Sequence, residues 1–222
     1  MLKEIFPNVV VEDLVVATKE TLLMTGISVV GTFIIGVLLG LLLFLTDTGN
    51  IWQNRLANTI IATIVNVFRA IPFIILILLL FPFTDWLMGT IRGWTAALPA
   101  LIIGASPFYA RMVEIALKEV DKGVLEAAKS MGAKTRHVIF KVLLPESMPA
   151  IISGITVTAI SLIGYTAMAG AIGAGGLGDL AYRRGFQKWD FDVVFACTIL
   201  IVVIVFIFQF IGDFLSKKID KR

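Results

Sequence analysis

SMPAIISGITVTAISLIGYTAMAGAIGAGGLG, residues 147–178, is a run of 32 residues without a charge. Its last six letters, Gly173 to Gly178, fit the G-x-G-x-x-G of a dinucleotide-binding loop. Asp190 and Asp192 even follow near the distance at which that fold places its ribose-binding carboxylate. The two halves of the run demand different folds. A dinucleotide loop follows a strand and opens a helix within a strand-helix-strand unit. Here the 26 residues from Ser147 to Ile172 are long and apolar enough to cross a bilayer, which takes about 20. The sequel, DLAYRRGFQKWD from Asp179, is short and charged before the next apolar run. The fingerprint fails on context. GAGGLG reads as a small-residue turn at the end of a membrane helix, where glycine lets backbones approach closely.

Composition supports that choice. Hydrophobic residues make up 58% of the chain and charged ones 16%, against about half and about a quarter in ordinary soluble domains. The formal charge of +3 is small and scattered, which argues against nucleic acid and suits a surplus of Lys and Arg on one side of a bilayer. Cys197 is the single cysteine, so no intrachain disulfide exists, and its apolar neighbours give it a structural role. The first 20 residues mix acids with short apolar runs and lack the order of a cleavable signal.

Working outward, five uncharged or nearly uncharged stretches predict crossings over about 21–46, 56–84, 93–110, 149–171 and 193–212. The second holds Arg69, which costs about 2.5 to 3.5 kcal/mol at mid-helix. Its 16 Ile, Leu, Val and Phe between Ile60 and Phe81 return roughly 5 to 10 kcal/mol, so the segment inserts. Five crossings put the termini on opposite sides. Twelve Lys and Arg then share a side with the loop from Arg111 to Lys141 and the C-terminus, against six on the other, placing the C-terminus in the cytoplasm and the N-terminus outside. Pro72, Pro82, Pro99 and Pro107 lie in or at the crossings, which suits a transport pathway more than a simple anchor. No internal repeat, low-complexity tract or soluble boundary appears, so residues 1–222 read as a single transmembrane domain, all-α.

The long polar insertion, Asp121 to Pro145 (DKGVLEAAKSMGAKTRHVIFKVLLP), predicts two short helices. Asp121 is a candidate N-cap, and Val120, Val124, Ala127 and Met131 form one apolar stripe. Gly132 suits a left-handed C-terminal cap. Thr135 can cap a second helix with Val138, Ile139, Val142 and Leu143 on its apolar face, ended by Pro145. Such a unit either inserts into a groove on a partner or lies on lipid headgroups. His137, in this basic loop, reads as a solvated side chain.

Glu126-Ala127-Ala128, Gly132 after three intervening residues, and Val142-Leu143-Leu144-Pro145 nine residues further resemble the EAA loop of ATP-binding-cassette (ABC) importer permeases, E-A-A-x3-G-x9-I-x-L-P. Val142 for isoleucine is the one departure. FRAIPF (Phe68 to Phe73), ASPFYARMVE (Ala105 to Glu114) and GYTAMAGAIGAGGLGDLAY (Gly164 to Tyr182) are similar to the permease subunits of methionine importers, from about Thr21 to the C-terminus. The resemblance implies the type I ABC importer permease architecture in a prokaryotic cell membrane. It implies a homodimer bound to two cytoplasmic ATP-binding subunits, which hold ATP and Mg, and loaded by an extracytoplasmic substrate-binding lipoprotein. The loop of about 118–145 becomes the coupling helix, with Glu126, Ala127, Ala128, Met131, Gly132, Leu144 and Pro145 at or beside its contact with the ATPase. The fourth and fifth crossings line the two-fold axis. Met168 is then the candidate gate, since a flexible thioether can seal against its symmetry mate, and Tyr165 a pathway residue. Arg69 either partners a substrate carboxylate or binds carbonyls freed by Pro72.

The expected function is transport of an amino acid, methionine in the L form or in both the L and D forms, with no catalysis, cofactor or metal site in this chain. A second expectation is an ion-coupled carrier or channel without an ATPase, for which the crossings offer Arg69 and no buried acids. A permease for another amino acid stands beside it, and a membrane enzyme is disfavoured by the absence of a nucleophile-base or metal constellation.

Overall fold

The computed structural model describes residues 9–220, apart from the side chain of Lys129. Lys3, Lys221 and Arg222, which entered the charge count, lie outside them. The described residues are helical: α1 Val11–Thr46, α2 Arg55–Ala70, α3 Phe73–Leu79, α4 Phe81–Met88, α5 Trp94–Lys118, α6 Lys122–Ser130, α7 Thr135–His137, α8 Leu144–Ala171, α9 Gly176–Leu180 and α10 Phe191–Ile219, with π-helical segments at Val138–Leu143 and Ala181–Phe186. Four helical stretches are long and apolar enough to cross a membrane, five if a bent pair counts as one.

Contacts sort these elements between two ends of one bundle. At the first end the Gly93 amide donates to the Gly173 carbonyl at 3.1 Å, joining the start of α5 to the turn after α8. At the other, Lys118 closing α5 pairs with Asp47 just past α1 at 2.9 Å. There too Ser216 of α10 lies 3.0 Å from Ser153 of α8, hydroxyl to hydroxyl. The chain therefore passes five times between a glycine end (GAGGLG) and a loop end (residues 121–145).

Three expected boundaries change. The first helix begins at Val11, ten residues before the predicted crossing, because Glu12 and Asp13 suit the positive end of the helix dipole and Leu14, Ala17 and Thr21 bury against the glycine end. The second crossing is not one helix: α2 and α3 meet at 106°. Pro72 has no N–H to donate and biases Ile71 to extended backbone (φ −78°, ψ 123°), so α2 stops at Ala70. Pro145, expected to end the second loop helix, lies instead in the first turn of α8, where a missing N–H costs nothing. The π-helical Val138–Leu143 takes up the register, so that residues 135–171 run as one span.

Packing between crossings relies on absent side chains. A Cβ on Gly36 would lie 2.5 Å from the Tyr109 ring, and one on Gly40 2.6 Å from the Ala110 carbonyl oxygen, so α1 and α5 meet backbone to backbone. Tyr109, fully buried there, donates to the Ile151 carbonyl of α8 at 3.1 Å. Cys197 is buried, as its surroundings suggested.

Candidate functional site

The loop end presents a capped helix. Asp121 caps α6, its Oδ1 accepting from the Gly123 amide at 2.7 Å. Gly132 ends the helix at φ +78°, and the Ala133 amide reaches back to the Ala128 carbonyl at 3.1 Å. Together these make a Schellman cap, which only glycine adopts cheaply. Thr135 does not cap α7; it is that helix's first residue, and Lys134, which supplies no side-chain bond, stands before it. Val138 is buried, and Ile139 and Leu143 cluster with Leu117, Val120 and Ile151, fastening the loop to the bundle.

Of the expected stripe, Val120 just before α6 is buried, while the three later residues point outward. Val124 is 44% exposed and Met131 82%, and Glu126 and Ala127 are exposed beside them, while Ala128 alone of the three motif residues turns inward. Leu144 packs into the core below, and Pro145 is exposed at the start of α8. The outer face of this capped, two-turn helix and its end carries a carboxylate and apolar side chains.

Sequence reasoning missed what holds this loop's base. Glu114, buried in the last turns of α5, accepts from Arg111 at 2.6 Å and pairs with Lys118 at 2.8 Å, and Lys118 also holds Asp47. The spacing Arg111, Glu114, Lys118 at i, i+3 and i+4 was legible as an ion-pair ladder. Lys118 beside it holds the Asp47 carboxyl below the usual carboxylate range.

Within the bundle, Arg69 and Tyr165 line one cavity of about 150 Å³ with Phe68, Ile71, Phe73, Leu76, Gly104 and Phe108. Phe73 stacks on the Tyr165 ring, centroids 4.4 Å apart and planes 3° from parallel. Met168, one turn further along α8, is 45% exposed and outside that lining.

At the glycine end, GAGGLG does open a helix, but its amides are already taken. Glu20 of α1 accepts from the Gly176 amide at 2.7 Å, and the Thr21 hydroxyl accepts from Leu177 at 2.9 Å. Gly173, Gly175 and Gly176 all have positive φ, as the turn requires. Arg92, Arg183, Arg184 and Lys188 face Asp13, Glu20 and Asp179 around an open funnel of about 860 Å³. Arg183 grips Asp179, Nε to Oδ1 2.6 Å, and Arg184 pairs with Asp13. Glu20 was the structural anchor the sequence hid, because its partner is 156 residues away.

Residues 33–221 match the binding-protein-dependent transport system inner membrane component family. The chain belongs to that family. Among relatives of this inner membrane component, it is 64% identical to the methionine import system permease protein MetP of Bacillus subtilis (strain 168) over the whole of both chains. It is 46% identical to the D-methionine transport system permease protein MetI of Escherichia coli (strain K12), over 68% of this chain and 70% of that one. Among solved structures, an inward-facing form of the MetNI methionine ABC transporter superposes with a TM-score of 0.93 at 42% identity, covering 95% of this chain and 98% of that one. The fold is the type I ABC importer permease, multi-pass in the membrane, and the ion-coupled carrier alternative is not favoured.

Proposed function

We propose that this chain is the membrane-spanning subunit of an ABC importer that carries methionine into the cytoplasm, with ATP hydrolysed on a partner chain. The observation that carries the reading is the 64% identity to a methionine import permease along the full length of both chains. In this reading two copies form the pathway and two ATP-binding subunits, holding ATP and Mg, dock at the loop end. A substrate-binding lipoprotein delivers solute to the funnel at the glycine end. The loop end is cytoplasmic, with its excess of Lys and Arg, so the N-terminus is outside.

The exposed face of α6 receives the ATPase: Glu126 offers a carboxylate, while Ala127 and Met131 allow close approach. Ala128 and Leu144 support that face from behind, and Pro145 stands exposed beside it at the start of α8. When the ATPase dimer closes, the loop moves and tilts the crossings from inward-facing to outward-facing. Met168 gates the pathway and Tyr165 lines it.

Uptake of radiolabelled L- and D-methionine by proteoliposomes holding the complex, with glutamine and histidine as competitors, tests the substrate. Preference for a polar amino acid would overturn methionine and leave the permease role standing. Copurification of an ATPase tests the class, and its absence would return the carrier reading.

A further inference from the structure

We infer that the cavity at the bend between α2 and α3 is a transit site for an amino-acid solute, with Arg69 receiving its carboxylate and the aromatic walls receiving its side chain. The inference rests on the permease reading above and adds a place and a chemistry for the solute inside the membrane.

Charge balance is the first argument. Arg69 lies in the last turn of α2, in the middle of the second crossing, and its side chain makes no hydrogen bond or ion pair with any other described residue. It is not tied to the carbonyls that Pro72 frees. A charge at this depth is costly unless paired or watered. All 16 acids of the sequence lie outside the five uncharged stretches, so a second copy of the chain brings no carboxylate to that level either. The carboxylate of the solute itself is the negative group available there. A guanidinium fits a carboxylate with two parallel N–H donors, and the pairing strengthens away from water.

Shape is the second. The break at Pro72 turns the chain through 106° and opens the cavity that Arg69 lines. Its volume of about 150 Å³ exceeds the roughly 30 Å³ that one water occupies in the liquid, leaving room for a small solute. Phe68, Phe73, Phe108 and Tyr165 supply aromatic surface, and ring edges favour a thioether. Gly104 sits opposite: a Cβ there would come within 3.1 Å of the Phe73 ring, so the absent side chain helps keep the space.

The test reads the cavity directly. Ile71 lines it and is half-buried, so Ile71→Cys in a Cys197→Ala background is a local reporter for a membrane-permeant thiol reagent in the assembled complex. Saturating L-methionine should slow labelling about tenfold, methioninol, which lacks the carboxylate, should not, and Arg69→Gln should abolish the protection. Arg69→Lys should restore part of it, since charge survives and the planar fork does not. Equal protection by methioninol, or full protection with Arg69→Gln, overturns the inference. Should Arg69→Gln fail to assemble, the methioninol and Arg69→Lys arms still decide. Methionine uptake measured on the same preparation separates the two claims. Uptake without carboxylate-dependent protection sinks the transit site alone, whereas no uptake of any amino acid sinks the permease reading and the site with it.

Discussion

Gly178→Ala should be among the most damaging single-methyl additions in this chain. A Cβ at Gly178 would stand 2.4 Å from the Ala167 Cα and 2.5 Å from its carbonyl oxygen, where ordinary carbon contacts lie at about 3.5–4.0 Å. Both atoms are backbone, so no rotamer change relieves the clash and α9 must retreat by about 1 Å or more. That retreat pulls Gly176 and Leu177 away from Glu20 and Thr21, two bonds that tie α9 to α1. Overpacking costs about 1–3 kcal/mol and each of the two weakened bonds about 1 kcal/mol, so a loss of about 3–5 kcal/mol is expected. At about 2–4 °C per kcal/mol for a chain of this length, Tm should fall by roughly 6–20 °C. The assay is thermal unfolding in detergent, with hydrogen exchange at Gly176 and Leu177 as the local readout. Gly26→Ala is the matched control: it lies within α1 with nothing within 4 Å of its Cβ position, and should be neutral or stabilise by about 0.5–1 kcal/mol. If Gly178→Ala melts like Gly26→Ala and exchange at Gly176 is unchanged, the backbone contact does not hold this end together.

Gly132→Asp places a Cβ at φ +78°, and should fray the end of α6 and cut ATPase-coupled transport while the protein still inserts; unchanged coupling would remove the loop from the mechanism. Glu126→Lys should leave stability within about 0.5 kcal/mol, the side chain being exposed, yet lower transport-coupled ATP hydrolysis in the assembled complex. Asp47 has its pKa lowered by Lys118, so its contribution is present at neutral pH and is lost as pH falls below the usual carboxylate range. With both partners partly exposed that contribution is below about 1 kcal/mol, and Asp47→Asn should erase the corresponding pH dependence of Tm. Glu20→Leu should leave the Gly176 amide without its acceptor and cost about 1–3 kcal/mol, read as a lower Tm and faster exchange at that amide.

What the sequence disclosed were features set by neighbours in the chain. The apolar runs, the Asp121 cap and the Gly132 turn each depend on a few consecutive residues, and the structure has all three. The start of α1 escaped because charge was taken as the end of a span, when Leu14 and Ala17 continue the helix against the far end of the chain. The consequence of Pro145 escaped because a proline stops a helix by one rule and opens one by another, and the π-helical Val138–Leu143 that chooses between them has no local signature. On the loop, Glu126 was singled out by a motif and Met131 by an apolar stripe. That Tyr165 shares a cavity with Arg69, and that Glu20 fills the helix end at Gly176, follow only from packing.

The unbroken run from Thr135 to Ala171 has a mechanical consequence. Its 37 residues measure about 55 Å, so rotation by about 10° around the midpoint carries each end about 5 Å in opposite directions. Its far end is not free to slide, because the contact at Gly170 and Gly178 leaves no gap between backbones. The funnel rim must travel with the rod as one body. The compliance that permits such travel belongs elsewhere, at the 106° corner between α2 and α3, where no backbone ladder resists bending.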